Sequence, residues 1–137
     1  MPIPSWSWLP YPDPSTELTT LKLAIALIDA NIKSYKPCNE AFKALPLGKT
    51  FEQVWNDPVV WISLDPSNQS GKYGACMGRK HITISKYSLK MGKWTAAVTL
   101  VHELAHVGGA GGLDTAEEDT LLKYLLRDLH DPGVLVR

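Results

Sequence analysis

Residues 98 to 107 read Val-Thr-Leu-Val-His-Glu-Leu-Ala-His-Val. His102 and His106 are four apart, a spacing that stacks two side chains on one face of a helix, one turn apart. Two imidazoles so placed can supply two ligands of a tetrahedral zinc, leaving positions for a third ligand and a water. Glu103 follows the first histidine directly and points to the flank of the pair. A carboxylate there can take a proton from the bound water. Together they form an H-E-x-x-H pattern.

The surroundings support a helix and bury it. Nothing between Thr95 and Val107 breaks a helix, and Gly108-Gly109 is a stop. Val98, Leu100, Val101, Leu104, Ala105 and Val107 are apolar on every side. Ionisable residues inside such a helix are costly unless paired or metal-bound. The bland alternative is two core histidines beside a surface glutamate.

A third ligand has to come from elsewhere, and the segment after the glycine turn offers Asp114, Glu117 and Glu118. Glu118 shares a face with Leu121, Leu122 and Leu125, so it is preferred. A carboxylate on the apolar side of a helix needs a partner. Glu117 turns toward Tyr124 and Asp128. Asp114 suits a turn or an N-terminal cap. Thr115 and Glu118 also have capping-box spacing, a competing role for Glu118.

The chain of 137 residues suits one domain with one modest core. Lys+Arg and Asp+Glu are equal at 14 each, which argues against a nucleic-acid or anionic-membrane partner held by bulk electrostatics. No apolar run is long enough to span a bilayer. The first ten residues lack a basic residue and an uninterrupted apolar core, so they are not a secretory signal of the usual kind. The expectation is a cytoplasmic protein, or one exported by a non-classical route. Cys38 and Cys76 are expected to be reduced in a cytosolic setting, and would be able to bridge in an exported one.

The positioning elements follow in chain order. Pro2, Pro4, Pro10, Pro12 and Pro14 make residues 1 to 14 an extended arm. Trp6, Trp8 and Tyr11 suggest that it lies along the domain, with an inhibitory segment crossing the cleft as the rival idea. The rest, 15 to 137, reads as one domain. Ser15 or Thr16 caps a scaffold helix to about Ser34, its core stripe Leu18, Leu21, Ile25, Ile28 and Ile32. Pro37 stops it. Asn39 to Leu45 can make a short helix. Leu47-Gly48-Lys49-Thr50 ends like a phosphate-binding loop but lacks the leading glycine and the preceding strand, so nucleotide binding is discarded. Thr50 with Gln53 forms a capping box for a helix through Trp55.

Val59 to Leu64 reads as a strand, Asp65 to Gly71 as a loop, and Tyr73 to Met77 as a short strand. His81-Ile82-Thr83-Ile84-Ser85 alternates, which predicts a half-exposed strand with Ile82 and Ile84 inward and His81 facing solvent. A strand with one free edge there is a place to lay an extended peptide. A last helix opens at Leu113 to Glu118, with Leu121, Leu122, Leu125 and Leu129 on one face.

His102-Glu103-Leu104-Ala105-His106 resembles the active helix of the zincin metallopeptidases. The order of helix, strands, active helix, glycine turn and last helix is similar to theirs over roughly residues 59 to 130. The metzincin branch continues as H-E-x-x-H-x-x-G-x-x-H/D. Here Gly109 is in place, but Gly112 occupies the last ligand position, and Met1, Met77 and Met91 all precede the motif. A glutamate on the following helix looks like the gluzincin arrangement. The resemblance implies an α+β, zincin-like fold and a zinc-dependent peptidase, with Glu103 as general base, His102, His106 and Glu118 as metal ligands, and a peptide or protein as substrate. An oxyanion stabiliser would come from Tyr124, His130, Arg127 or His81.

Other readings are a catalytically inactive zincin-like binding module, a toxin- or effector-type protease with a narrow protein target, and a peptide deformylase with Cys76 as third ligand. The last lacks that family's Glu-Gly-Cys-Leu-Ser around the cysteine.

Overall fold

In the computed structural model, residues 3–4, 16–78 and 80–110 are described. The chain is α+β. Helices α1 (Thr16–Leu27), α2 (Lys36–Lys43) and α3 (Phe51–Trp55) lead into the sheet strands β2 (Trp61–Asp65), β3 (Gly74–Met77) and β4 (His81–Ser85). Helices α4 (Lys86–Lys90) and α5 (Lys93–Val107) follow. A two-residue strand β1 (Ile3–Pro4) lies parallel to β2, giving the order β1-β2-β4-β3.

The stripe expected on the first helix is the stripe that is buried: Leu18, Leu21, Ile25, Ile28 and Ile32. The helix does not run uniformly to Ser34. From Ile28 to Ile32 it widens into a π-helical turn, closed by Lys33 N–H donating to Ile28 O at 2.8 Å. Pro37 does more than stop it. Proline fits the first turn of a helix, where its missing N–H has no partner to lose, and α2 begins around it at Lys36. The Thr50–Gln53 capping box forms in both directions. Helix α4 is absent from the expectations above. Its cue is Ser85, whose Oγ accepts the Ser88 N–H.

The sheet corrects one expectation. The strand 81 to 85 is interior, not half exposed. It pairs parallel with β2, Ile62 facing Ile82 and Leu64 facing Ile84, and antiparallel with β3. Ile82 and Ile84 point inward as expected, but Thr83 and Ser85 are buried as well. Alternation of residue type gives the facing of a strand, not its place in the sheet order. Among the described strands, β3 is the edge beside α5, and β1 covers the opposite side of β2. The arm therefore begins at the far edge of the sheet from α5; residues 5 to 15 lie outside the described residues, as do residues 111 to 137, where a last helix is expected.

Ile62, Leu64, Ile82 and Ile84 form one layer of the core, and α1 and α5 pack against each other within it. Trp55, Phe42 and Phe51 are fully buried, with Phe42 edge-on to Phe51 and Phe51 stacked on Trp55. Trp55 Nε1 donates to Asp29 Oδ1 at 2.6 Å, tying α3 to the end of the first helix. Burial of such rings stabilises by roughly 1.5–3 kcal/mol each. No helix among the described residues is long and apolar enough to cross a membrane.

Candidate metal centre

Helix α5 is apolar nearly all round, and the structure buries it that way, from Thr95 through Val107. The exceptions are the two histidines. His102 and His106 are half-buried, while Glu103 between them is 5% exposed. The alternative of buried histidines beside a surface glutamate is thus reversed.

The three side chains converge. His102 Nε2 lies 4.0 Å from Glu103 Oε2, and His106 Nε2 lies 4.0 Å from Glu103 Oε1. The imidazole centroids are 5.5 Å apart with planes at 82°. One donor atom from each residue lies within 4.8 Å of the others. The 4.0 Å separations exceed direct hydrogen-bond reach. Each imidazole could offer one ring nitrogen to a shared ion.

The end of α5 prepares His106. Gly108 caps the helix, Gly109 adopts φ 105°, and two bonds close a Schellman turn: Ala110 N–H to Ala105 O at 3.0 Å and Gly109 N–H to His106 O at 3.0 Å. Only glycine adopts that φ without strain. The turn brings Ala110 O to 3.1 Å from His106 Nδ1. A carbonyl cannot donate, so the ring proton sits on Nδ1 and the lone pair on Nε2, the tautomer a metal needs from that nitrogen. Leu47 N–H donates to Gly108 O at 3.1 Å, and Leu45 and Phe42 press on Gly108 from the side. The aromatic cluster of α2 and α3 thereby seats this end of the helix.

One turn before Glu103, Thr99 is held by a chain of hydroxyls. Its Oγ1 donates to Thr95 O at 2.9 Å, which uses its only proton, so Ser88 Oγ donates to Thr99 at 2.9 Å. Ser85 Oγ donates to Lys72 O while accepting the Ser88 N–H. Ser85, Ser88 and Thr99 are buried. These bonds fix α5 to α4 and to the segment that precedes β3.

That segment forms the other wall of a cleft of about 570 Å³, lined by Gln69 to Gly74 on one side and by Val98, Thr99, His102 and Glu103 on the other. The size falls in the range of ligand-binding clefts. Gly74 sits directly over the helix. A Cβ at that position would meet Thr83 O at 2.5 Å, Thr99 Cγ2 at 3.1 Å and Glu103 Cγ at 3.4 Å. Ser85 N–H donates to Tyr73 O at 2.8 Å, so 73 and 85 form a hydrogen-bonded pair. By antiparallel alternation the N–H and C=O of Gly74 point away from β4. Neither Gly74 nor Thr99 stood out in the sequence. The cue available was a turn-rich loop leading into a short glycine-started strand ahead of the motif.

Of the other candidates, His81 faces the side of the sheet opposite Ile82 and Ile84. It is half-buried rather than solvent-facing, with Nε2 at 2.6 Å from the buried Ser63 Oγ. It is not among the cleft residues. Cys76 lies outside the His102–Glu103–His106 group, and no disulfide joins Cys38 to Cys76. Burial pushes the Cys38 thiol up to about 12. Asp114, Glu117, Glu118, Tyr124, Arg127 and His130 lie outside the described residues. Comparison with protein-family models, with curated proteins and with solved structures finds no match to this chain.

Proposed function

We propose that the chain is a zinc-dependent peptidase of zincin-like architecture. The observation that carries the reading is the buried Glu103 carboxylate, set 4.0 Å from the Nε2 atoms of both His102 and His106. Two imidazoles and a carboxylate with donor atoms within 4.8 Å of one another make a group that could hold a metal ion. The donor set of two imidazoles and a carboxylate-rich segment downstream suits zinc. His102 and His106 would hold the ion, with Glu118 completing the set.

A bound zinc would supply an acidified water and a Lewis-acid contact to the scissile carbonyl. Glu103 then takes the proton of the attacking water and returns it to the leaving amine. The His106 Nδ1–H bond to Ala110 keeps the ligating nitrogen aimed at the centre. Gly74 gives the substrate a backbone to pair with, and its missing side chain lets β3 itself lie close over Thr99 and Glu103.

The test is hydrolysis of a mixed peptide library by zinc-loaded protein, read by mass spectrometry, beside Glu103→Gln. We expect defined cleavage products from the parent and none from the variant, with zinc content equal in both. Products of equal yield from Glu103→Gln would remove Glu103 from the chemistry.

A further inference from the structure

We propose that Lys72 makes this cleft selective for peptides that carry a carboxylate next to the cleaved bond, an inference that rests on the peptidase reading above. Lys72 brings the one Lys or Arg side chain among the described residues that line the cleft; its other ionisable groups are Tyr73, His102 and Glu103. On that side Gln69, Ser70 and Gly71 are uncharged, and Tyr73 adds an aromatic ring. Val98 supplies one aliphatic contact opposite. The described part of the cleft thus offers hydrogen-bonding groups and one lysine beside a comparable amount of apolar surface.

The placement suits recognition. Lys72 precedes Gly74 by two residues, so its Cα lies at most ~7 Å along the chain from the point where the backbone crosses Glu103. A substrate extended along this segment would bring a side chain one or two residues from the cleaved bond beside Lys72. The ammonium is braced, with Nζ 3.3 Å from Asp65 Oδ2. Asp65 in turn accepts the Ser67 N–H on Oδ1 at 3.0 Å. Asp65 is not a cleft residue, whereas Lys72 is. The pair orients the lysine while its remaining N–H donors stay available for an incoming carboxylate. The Lys72 carbonyl is held by Ser85 Oγ, so the backbone carrying the charge is fixed to the same hydroxyl chain that fixes α5.

The carboxylate can be an Asp or Glu side chain or the peptide's own C-terminus, and the test separates them. Fluorescein-labelled octapeptide pools with one fixed Glu, Gln or Lys, each made with a free and an amidated C-terminus, are titrated into zinc-loaded Glu103→Gln protein by fluorescence polarisation. The same pools are offered to the active parent. We expect the Glu pool to bind about three- to tenfold more tightly than the Gln pool, the Lys pool most weakly, and the preference to shrink in high salt. Lys72→Gln in the same background should erase the preference, Lys72→Arg should keep it, and Lys72→Glu should reverse it. An advantage confined to the free C-terminus would assign the site to a terminal carboxylate. Lys72 is half exposed and its ion pair is partly solvated, so these variants should fold and take up zinc as the parent does. Equal binding of the Glu and Gln pools, or a preference that survives Lys72→Gln, overturns the inference. Carboxylate-selective binding without cleavage of any pool by the parent would instead overturn the peptidase reading and leave the selectivity standing.

Discussion

Two adjacent glycines at the end of α5 should respond oppositely to alanine. Gly108 has φ −73°, which alanine adopts freely, and the nearest obstacles to its Cβ are the mobile end of Leu45 at 3.2 Å and Ala105 O at 3.3 Å. Gly109 has φ 105°, and a Cβ there would meet Leu47 Cγ, Leu47 N and Pro46 Cβ, all at 3.1 Å. A residue with a side chain in that region costs about 1–3 kcal/mol before contacts are counted. The backbone nitrogen of Leu47 cannot yield as a side chain would, because it donates to Gly108 O. We expect Gly109→Ala to destabilise by about 2–3 kcal/mol, a fall in Tm of roughly 6–12 °C for a chain of this size. Gly108→Ala should stay within about 1 kcal/mol of the parent. The damage should also reach the metal. If the Schellman turn opens, Ala110 O leaves His106 Nδ1, and loss of such an outer contact typically weakens metal binding about 10–100-fold. Thermal unfolding of the metal-free proteins and zinc competition against a chromophoric chelator measure the two effects separately. Equal Tm values for the two variants would refute the account of the turn. A destabilised Gly109→Ala with parental zinc affinity would refute the link from the turn to His106.

Other outcomes follow from single contacts. Leu104→Ala, at a fully buried position on α5, should cost about 2–5 kcal/mol in chemical denaturation. Thr50→Ala removes the side-chain half of the α3 capping box, Oγ1 accepting the Gln53 N–H, and should cost about 0.5–2 kcal/mol without altering zinc uptake. Cys38 keeps its proton in the folded chain to about pH 12 against an ordinary value of 9.0, so the unfolded chain loses that proton first. Stability should therefore fall as pH rises above 9, with this thiol contributing about 1.4 kcal/mol per pH unit until its folded pKa. The difference in slope between the parent and Cys38→Ala measures that contribution. At pH 8, alkylation should modify the half-buried Cys76 well before Cys38.

What was legible in the sequence was mostly local. The α1 stripe, the Thr50 capping box, the inward Ile82 and Ile84, and the buried helix with its glycine stop each depend on spacing within one turn or one strand. What was not legible depended on neighbours. The interior position of β4 comes from β3 folding back over it, which no pattern within residues 81 to 85 records. His81 followed the polar phase of its strand, but its exposure was set by Ser63 on β2. Pro37 was read as a stop because proline ends helices, although it equally starts them. The convergence of His102, Glu103 and His106 was legible because two imidazoles at i and i+4 leave little geometric freedom. The cleft wall at Gly74 and the hydroxyl chain through Thr99 were not, because each joins residues far apart in sequence.

Elemental analysis for zinc in protein purified without added metal, beside a His102→Ala/His106→Ala double variant, tests the central claim most directly. We predict close to one zinc per chain in the parent and almost none in the double variant. A parent that takes up no zinc even when supplied with it, or a double variant that binds as much as the parent, would contradict a metal centre at His102 and His106.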